Sequence, residues 1–366
     1  MKTRVIISLL ALLLVGSACE KELDFKGTSE EMDMSPLVIN AVAIEGMPFV
    51  AYLTKSERIN EVVQNYMDAS VLRTASDEDY QNRNYLVRVA QMNAQIQVEV
   101  NGQQSYKMSP NLQQFCYECD YVPKEGDRIV LTAQQQGSAD GLRAETMVPQ
   151  KPKIEVLEYE VLDGNPYRYQ NELTFEGDTI MRLTCRISGA QAGQYYRLRV
   201  RNERESLTII GANGIWDRFI RNYGGQDVFF SSDALFADSR LTSNFGGWPS
   251  FFSNVFDSRL LANGAYTFTV DSPKMVYTTW NPPQIPGMTV SPDATYSDNM
   301  PLPSQVVVEL QAISEDYYHY LKAMELYRIM VSDSNAEPIR LHSNAQNGWG
   351  ILGAMSYDRH IVKYDD

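Results

Sequence analysis

The run Gln95-Ile96-Gln97-Val98-Glu99-Val100-Asn101-Gly102 decides the fold class. Ile96, Val98 and Val100 alternate with Gln97 and Glu99. That period of two places apolar side chains on one face of a strand and polar ones on the other. Asn101-Gly102 then supplies the pair best suited to positive φ at both centres of a type I′ turn, so a β-hairpin is expected here. Working outward, the same signal recurs. Leu37 to Ala43 (LVINAVA) and Phe49 to Leu53 read as the first two strands, and Glu125-Gly126-Asp127 turns the chain into a strand over Arg128 to Ala133. Further along, Ile154, Val156 and Tyr159 open a second group, followed by a turn at Asp163-Gly164-Asn165-Pro166. Met181, Leu183, Cys185 and Ile187 alternate with Arg182, Thr184 and Arg186, and Tyr196, Leu198 and Val200 with Arg197, Arg199 and Arg201. Strands resume at Tyr266, Phe268, Val270 and at Val306, Val308, Leu310.

The stretch Val148-Pro149-Gln150-Lys151-Pro152 interrupts pairing, because neither proline has a backbone donor. A domain boundary is expected there. The chain thus reads as mostly β, with an N-terminal Ig-like β-sandwich over 36–150 and a second β domain over 151–366. The second domain carries a loop-rich insertion at about 203–303 and one C-terminal amphipathic helix at about 315–331. Inside the insertion Phe229-Phe230-Ser231…Phe236…Asp238-Ser239-Arg240-Leu241 is echoed by Phe251-Phe252-Ser253…Phe256-Asp257-Ser258-Arg259-Leu260. Two copies are too few for a solenoid, and these aromatics are read as packing the insertion onto the sheet. The arginine row at 197, 199 and 201 offers an anion-binding stripe or, as favoured here, a solvated face with its stems over the sheet. Ser314 is the expected N-cap of the helix, with Glu315 and Asp316 at the positive end of its dipole. Tyr317, Tyr320, Leu321, Met324, Tyr327 and Val331 form one stripe to dock on the second sheet, with Lys322 and Glu325 on the other side.

Composition narrows the functions. Of 366 residues 44% are hydrophobic and 21% charged, enough to bury a core. Lys+Arg total 32 against Asp+Glu 46, a net charge of −14. A phosphate backbone needs a basic footprint, so nucleic acid is excluded as the expected partner.

Lys2 and Arg4 precede an apolar run, Val5 to Val15, and Gly16-Ser17-Ala18 supplies small residues just before Cys19. This is the three-part layout of a secretory signal, too short to be retained as a span. With a cysteine at the first mature position it resembles a bacterial lipobox, which makes Cys19 the expected lipidation site; ordinary signal peptidase would cut at the same bond. Residues 1–18 are then the signal peptide and 19–35 a polar tether. Glu20-Lys21-Glu22-Leu23-Asp24 also resembles the export signal of Bacteroidetes surface lipoproteins. The expected location is the outer membrane, lipid-anchored and facing the cell exterior. Several acyl chains anchor durably where one does not.

Motifs that carry chemistry are sparse. Cys116-Tyr117-Glu118-Cys119 has redox or metal spacing, but neither a second CxxC nor a nearby histidine completes a zinc site. The pair reads as a local disulfide or as two free thiols, and Cys185 as an apolar strand residue. His319, His342 and His360 form no HExxH, and the chain has no GxSxG elbow, P-loop or EF-hand ladder. No catalytic residue, metal ligand or cofactor is therefore assigned. Trp216, Trp248, Trp280, Tyr167 and Tyr169 are candidate stacking platforms for a small ligand, a glycan or a peptide, or else packing anchors. Gly348, Gly350 and Gly353 read as a turn or as a close approach to another strand; a phosphate cradle would need a helix after them, and none is expected.

The order Val306 to Ile313 (VVVELQAI), Ser314 to Leu321 (SEDYYHYL), Glu337-Pro338, Ser343-Asn344 and Asn347-Gly348-Trp349-Gly350-Ile351-Leu352-Gly353-Ala354 resembles the domain-of-unknown-function family 4249 of Bacteroidetes lipoproteins, over about 19–361. The family transfers no catalytic residues. Its members are often associated with TonB-dependent outer-membrane transporters. The resemblance therefore implies a non-enzymatic accessory or ligand-capture partner of such a transporter. A glycan or peptide hydrolase with acids in the 203–303 insertion, and a structural or adhesive surface protein, are the alternatives.

Overall fold

Asn101 and Gly102 both take positive φ, 55° and 66°, and Gln103 N–H donates to Val100 O at 3.1 Å. The hairpin they close joins β3 (Gln95–Val100) to β4 (Gln104–Lys107). The computed structural model describes residues 36–56, 89–135, 141–163, 179–203, 229–238, 253–261, 264–273, 305–330 and 340–363. Before this hairpin run β1 (Leu37–Ile44) and β2 (Val50–Lys55). After it come β5 (Ser109–Asn111), β6 (Cys116–Glu118), β7 (Arg128–Gln134) and β8 (Leu142–Met147). The second half supplies β9 (Lys153–Asp163), β10 (Thr179–Ser188), β11 (Tyr195–Glu203), β12 (Val255–Asp257), β13 (Ala265–Pro273) and β14 (Gln305–Ile313). Helix α1 (Glu315–Met330) and a final strand, β15 (Trp349–Lys363), complete the described elements. None of the described helices is long and apolar enough to cross a membrane.

The strands form three sheets: a four-stranded one (β4-β3-β7-β8), a three-stranded one (β13-β10-β9) and an eight-stranded one (β12-β11-β14-β15-β1-β2-β6-β5). Each smaller sheet shares a core with part of the large one. Ile96, Val98, Leu131 and Leu142 meet Ile39, Phe49 and Leu53, together with Leu352 and Ala354 of β15. Met181, Leu183 and Phe268 meet Leu198, Val308, Leu310 and Val362 of the same β15. Phe236 belongs to this second core and sits edge-on to Phe229, Phe256 and Phe268, at centroid distances of 5.7, 5.4 and 5.3 Å. The insertion's aromatics within the described residues therefore pack the core.

The boundary expected at Val148–Pro152 separates the covering sheets but not the molecule. β8 ends at Met147 and β9 begins at Lys153, as the prolines require. The large sheet nevertheless takes strands from both sides, and residues 36–366 cluster as one unit. The cause is β15. Its first half pairs parallel with β1, Val38 to Ile44 against Trp349 to Met355. Its second half pairs antiparallel with β14, Ile313 to Gln305 against Met355 to Lys363. Both registers meet at Met355, and flanking bonds lock the crossing: Glu45 N–H donates to Met355 O and Ser314 N–H to Ala354 O, both at 2.9 Å.

The tail glycines make this crossing sterically feasible. Gly350 has φ +103°, and a Cβ built there would fall on the carbonyl of Ile39 in β1. A Cβ on Gly348 would lie 2.7 Å from Leu37 O and 2.6 Å from Leu142 Cδ1; one on Gly353 would lie 2.8 Å from Tyr317 Cγ. Side chains at these positions would hold β15 away from its neighbours.

Candidate functional site

All nine residues of β14 are buried, although strand periodicity lets only one set face the core. Val306, Val308, Leu310 and Ala312 enter the second core. The opposite face carries charge. Glu309, its side chain 3% exposed, accepts from Arg201 Nη2 at 3.0 Å, Arg359 Nε at 2.5 Å and Gln311 Nε2 at 2.6 Å. Burial alone would raise the Glu309 carboxyl, but the charges of Arg201 and Arg359 with the Gln311 bond outweigh it and hold the group below the ordinary carboxylate range. The arginine row is thus not a solvated face throughout: Arg201 is buried in an ion-paired layer, while Arg197 and Arg199 are half-buried.

Helix α1 also departs from its apolar stripe. Tyr327 is 44% exposed, whereas Lys322, expected on the solvent side, is 6% exposed. The Lys322 ammonium lies 2.9 Å from Asp238 Oδ2, 2.5 Å from Ser253 Oγ and 3.5 Å from Glu325 Oε2. Ser253 Oγ also lies 2.7 Å from Glu325 Oε2. Burial pushes the Glu325 carboxyl up, an effect that Lys322 and Ser253 only partly offset. A helix with polar residues this regularly interspersed can turn its charged side inward only if charged partners wait there. The near-repeated insertion supplies them: Ser231 and Ser253, equivalent in the two copies, each accept a backbone N–H from two residues on, Asp233 at 3.2 Å and Val255 at 3.1 Å.

A serine hydroxyl beside a lysine ammonium has the composition of a nucleophile–base pair. Here Ser253 is 2% exposed and Lys322 is engaged by two carboxylates, so the pair ties the helix to the insertion rather than presenting a nucleophile.

At its N-terminus α1 meets β15. Ser314 occupies the cap position, with Tyr318 N–H donating to its carbonyl at 2.9 Å, yet its hydroxyl accepts from Ala354 N–H at 3.1 Å and so secures the strand crossing. Asn344 ties three elements together. Its amide donates to Glu145 O and Leu352 O at 3.0 Å and to Asp316 Oδ2 at 3.2 Å, and its oxygen accepts from Leu352 N–H at 3.0 Å. Ser314, Asn344, Gly350 and Gly353 all position β15.

Between α1 and the segment before β15 lies an open depression of about 420 Å³, lined by His319, Lys322, Ala323 and Leu326 on the helix and by Arg340 to Ser343 opposite. The His319 and His342 rings are 5.4 Å apart, and His342 Nε2 lies 2.7 Å from Asp316 Oδ1. The Arg340 guanidinium stacks 5.5 Å over the Trp349 ring.

Cys19, Tyr167, Tyr169, Trp216, Trp248 and Trp280 lie outside the described residues. No disulfide joins Cys116 to Cys119; Cys116 is buried and Cys119 half-buried. Three residues along extended chain span about 10 Å, beyond the Cα separation a disulfide bridges. Burial raises the Cys119 thiol above its ordinary value, with Asp120 adding to the effect. Buried Cys185 is pushed up to about 12 by desolvation. Among the described residues no group of three His, Cys, Asp or Glu side chains is arranged to hold a metal. Sequence reasoning named Asp238 and Ser253 in the repeat and Lys322 and Glu325 on the helix, but missed that they meet, because the Lys–Glu pair lies far along the chain from the repeat.

A family model described as a domain of unknown function, DUF4249, matches residues 20–361. No curated protein and no solved structure matches the chain.

Proposed function

The chain belongs to the DUF4249 family, and from that premise we propose that it is a surface-exposed outer-membrane lipoprotein, a non-enzymatic accessory that captures or presents ligand for a TonB-dependent transporter. One observation carries the reading. Lys2 and Arg4, the apolar run Val5 to Val15 and the small residues Gly16 to Ala18 lead directly to Cys19, and the family match begins at the next residue. Residues 19–35 then serve as the tether that joins the anchor on Cys19 to β1. Beyond the tether, residues 36–366 form one unit, suited to being carried as a body beside a transporter. Binding would fall to loops at the ends of its sheets, where scaffolded proteins place such residues.

Fractionation and native pull-down test this together. Wild-type chain is expected in the outer-membrane fraction with acyl mass on Cys19, accessible to protease on intact cells and co-purifying with a transporter. Cys19→Ala is expected in the soluble fraction. An unacylated mature terminus, or recovery of a lone monomer in mild detergent, would refute the proposal.

A further inference from the structure

We propose that the depression between α1 and Arg340–Ser343 binds a small organic anion, a carboxylate on a short apolar body. The chain carries 46 acidic against 32 basic residues, yet among the described residues the ionisable groups lining this depression are His319, Lys322, Arg340 and His342. Two carboxylates contact the lining histidines from outside the lining set: Asp316 lies 2.7 Å from His342 and Glu315 3.8 Å from His319. Lys322 is already held by Asp238 and Glu325, so Arg340 is the anchor. Its planar fork matches a carboxylate in a way a lysine cannot, and stacking on Trp349 limits the rotamer freedom lost on binding. His319 and His342, 5.4 Å apart, supply ring nitrogens beside it. Ala323, Leu326 and Leu341 line the same space and would take the apolar portion. A volume of about 420 Å³ falls within the range of small-ligand sites and would hold a body of a few carbons.

This inference stands on geometry independent of the anchor, so its test leaves the membrane proposal untouched. The full chain, purified in detergent, is titrated with butyrate, inorganic phosphate and butylammonium by calorimetry and ligand-observed NMR. Butyrate is expected to bind, more tightly than phosphate, with butylammonium not binding. Arg340→Gln should weaken butyrate by about tenfold or more, the loss of one charge-assisted bidentate contact. His319→Gln should weaken it less, and Arg186→Gln, exposed on β10, not at all. Absence of butyrate binding, equal binding by wild type and both depression variants, or phosphate bound more tightly than butyrate would each overturn the proposal.

Discussion

Gly350 carries the strictest demand among the described glycines: its φ of +103° and the overlap of any Cβ with Ile39 leave no room for a side chain. Gly350→Ala combines backbone strain of about 1–3 kcal/mol with displacement of β15 from β1, and should cost about 3 kcal/mol or more. Thermal unfolding of the variant measures it, and an unchanged midpoint would contradict the overlap. The glycine spacing was legible in the sequence as a turn or a close approach to another strand, but not as which of the two nor which strand, since β1 lies some three hundred residues earlier. The Cys116/Cys119 pair shows the opposite case. Spacing left disulfide and thiols open, and it carries no sign that Cys116 lies in the extended strand β6, from which no bond reaches Cys119.

Elements were easier to find than their faces. Alternation located β3, β7, β10, β11 and β14 because each has one apolar set of side chains. β15 escaped as a strand because Gly350 and Gly353 interrupt its pattern, and β12 because three residues show no period. Helix α1 fell where its cap and acidic first turn put it. Its orientation was misread because periodicity ranks residues by hydrophobicity, whereas Lys322 is drawn inward by Asp238 and Glu325. Two carboxylates, Glu309 in its arginine pair and Glu325 beside Lys322, predict opposite pH behaviour. Glu309 is held below its unfolded value, so its stabilisation is present above that value and lost as pH falls through the lower one. Glu309→Gln should therefore be strongly destabilising at pH 7, by about 3–5 kcal/mol, because the buried guanidinium of Arg201 and that of Arg359 lose this countercharge, and the gap to wild type should narrow in acid. Glu325 is raised, so its ionised form costs stability as pH rises through that raised value. Glu325→Gln should match wild type near pH 4 and exceed it at pH 7. Denaturant titrations at the two pH values check both signs.

At the scale of the molecule, two cores share one sheet, and β15 contributes to each of them through Leu352 and Val362. Such a body should unfold as one cooperative unit. Calorimetry is expected to show a single transition for residues 36–366; two resolved transitions would restore a divide near residue 150. Proline chemistry made the break between covering sheets readable, but a strand that pairs parallel with the first and antiparallel with its near neighbour cannot be deduced from local pattern. The ion pairs of Glu309 were illegible for a related reason, since Arg201, Glu309 and Arg359 come from β11, β14 and β15 and meet only once the sheet is assembled.

Because β15 follows every strand it joins, a ribosome or translocation channel delivers β1 and β14 with their shared edge still vacant. Until Trp349–Lys363 arrives, those edges are exposed templates for foreign strands, so chaperones would be needed longest for the earliest-made half. A premature stop anywhere before β15 would forfeit both halves rather than leave a working fragment.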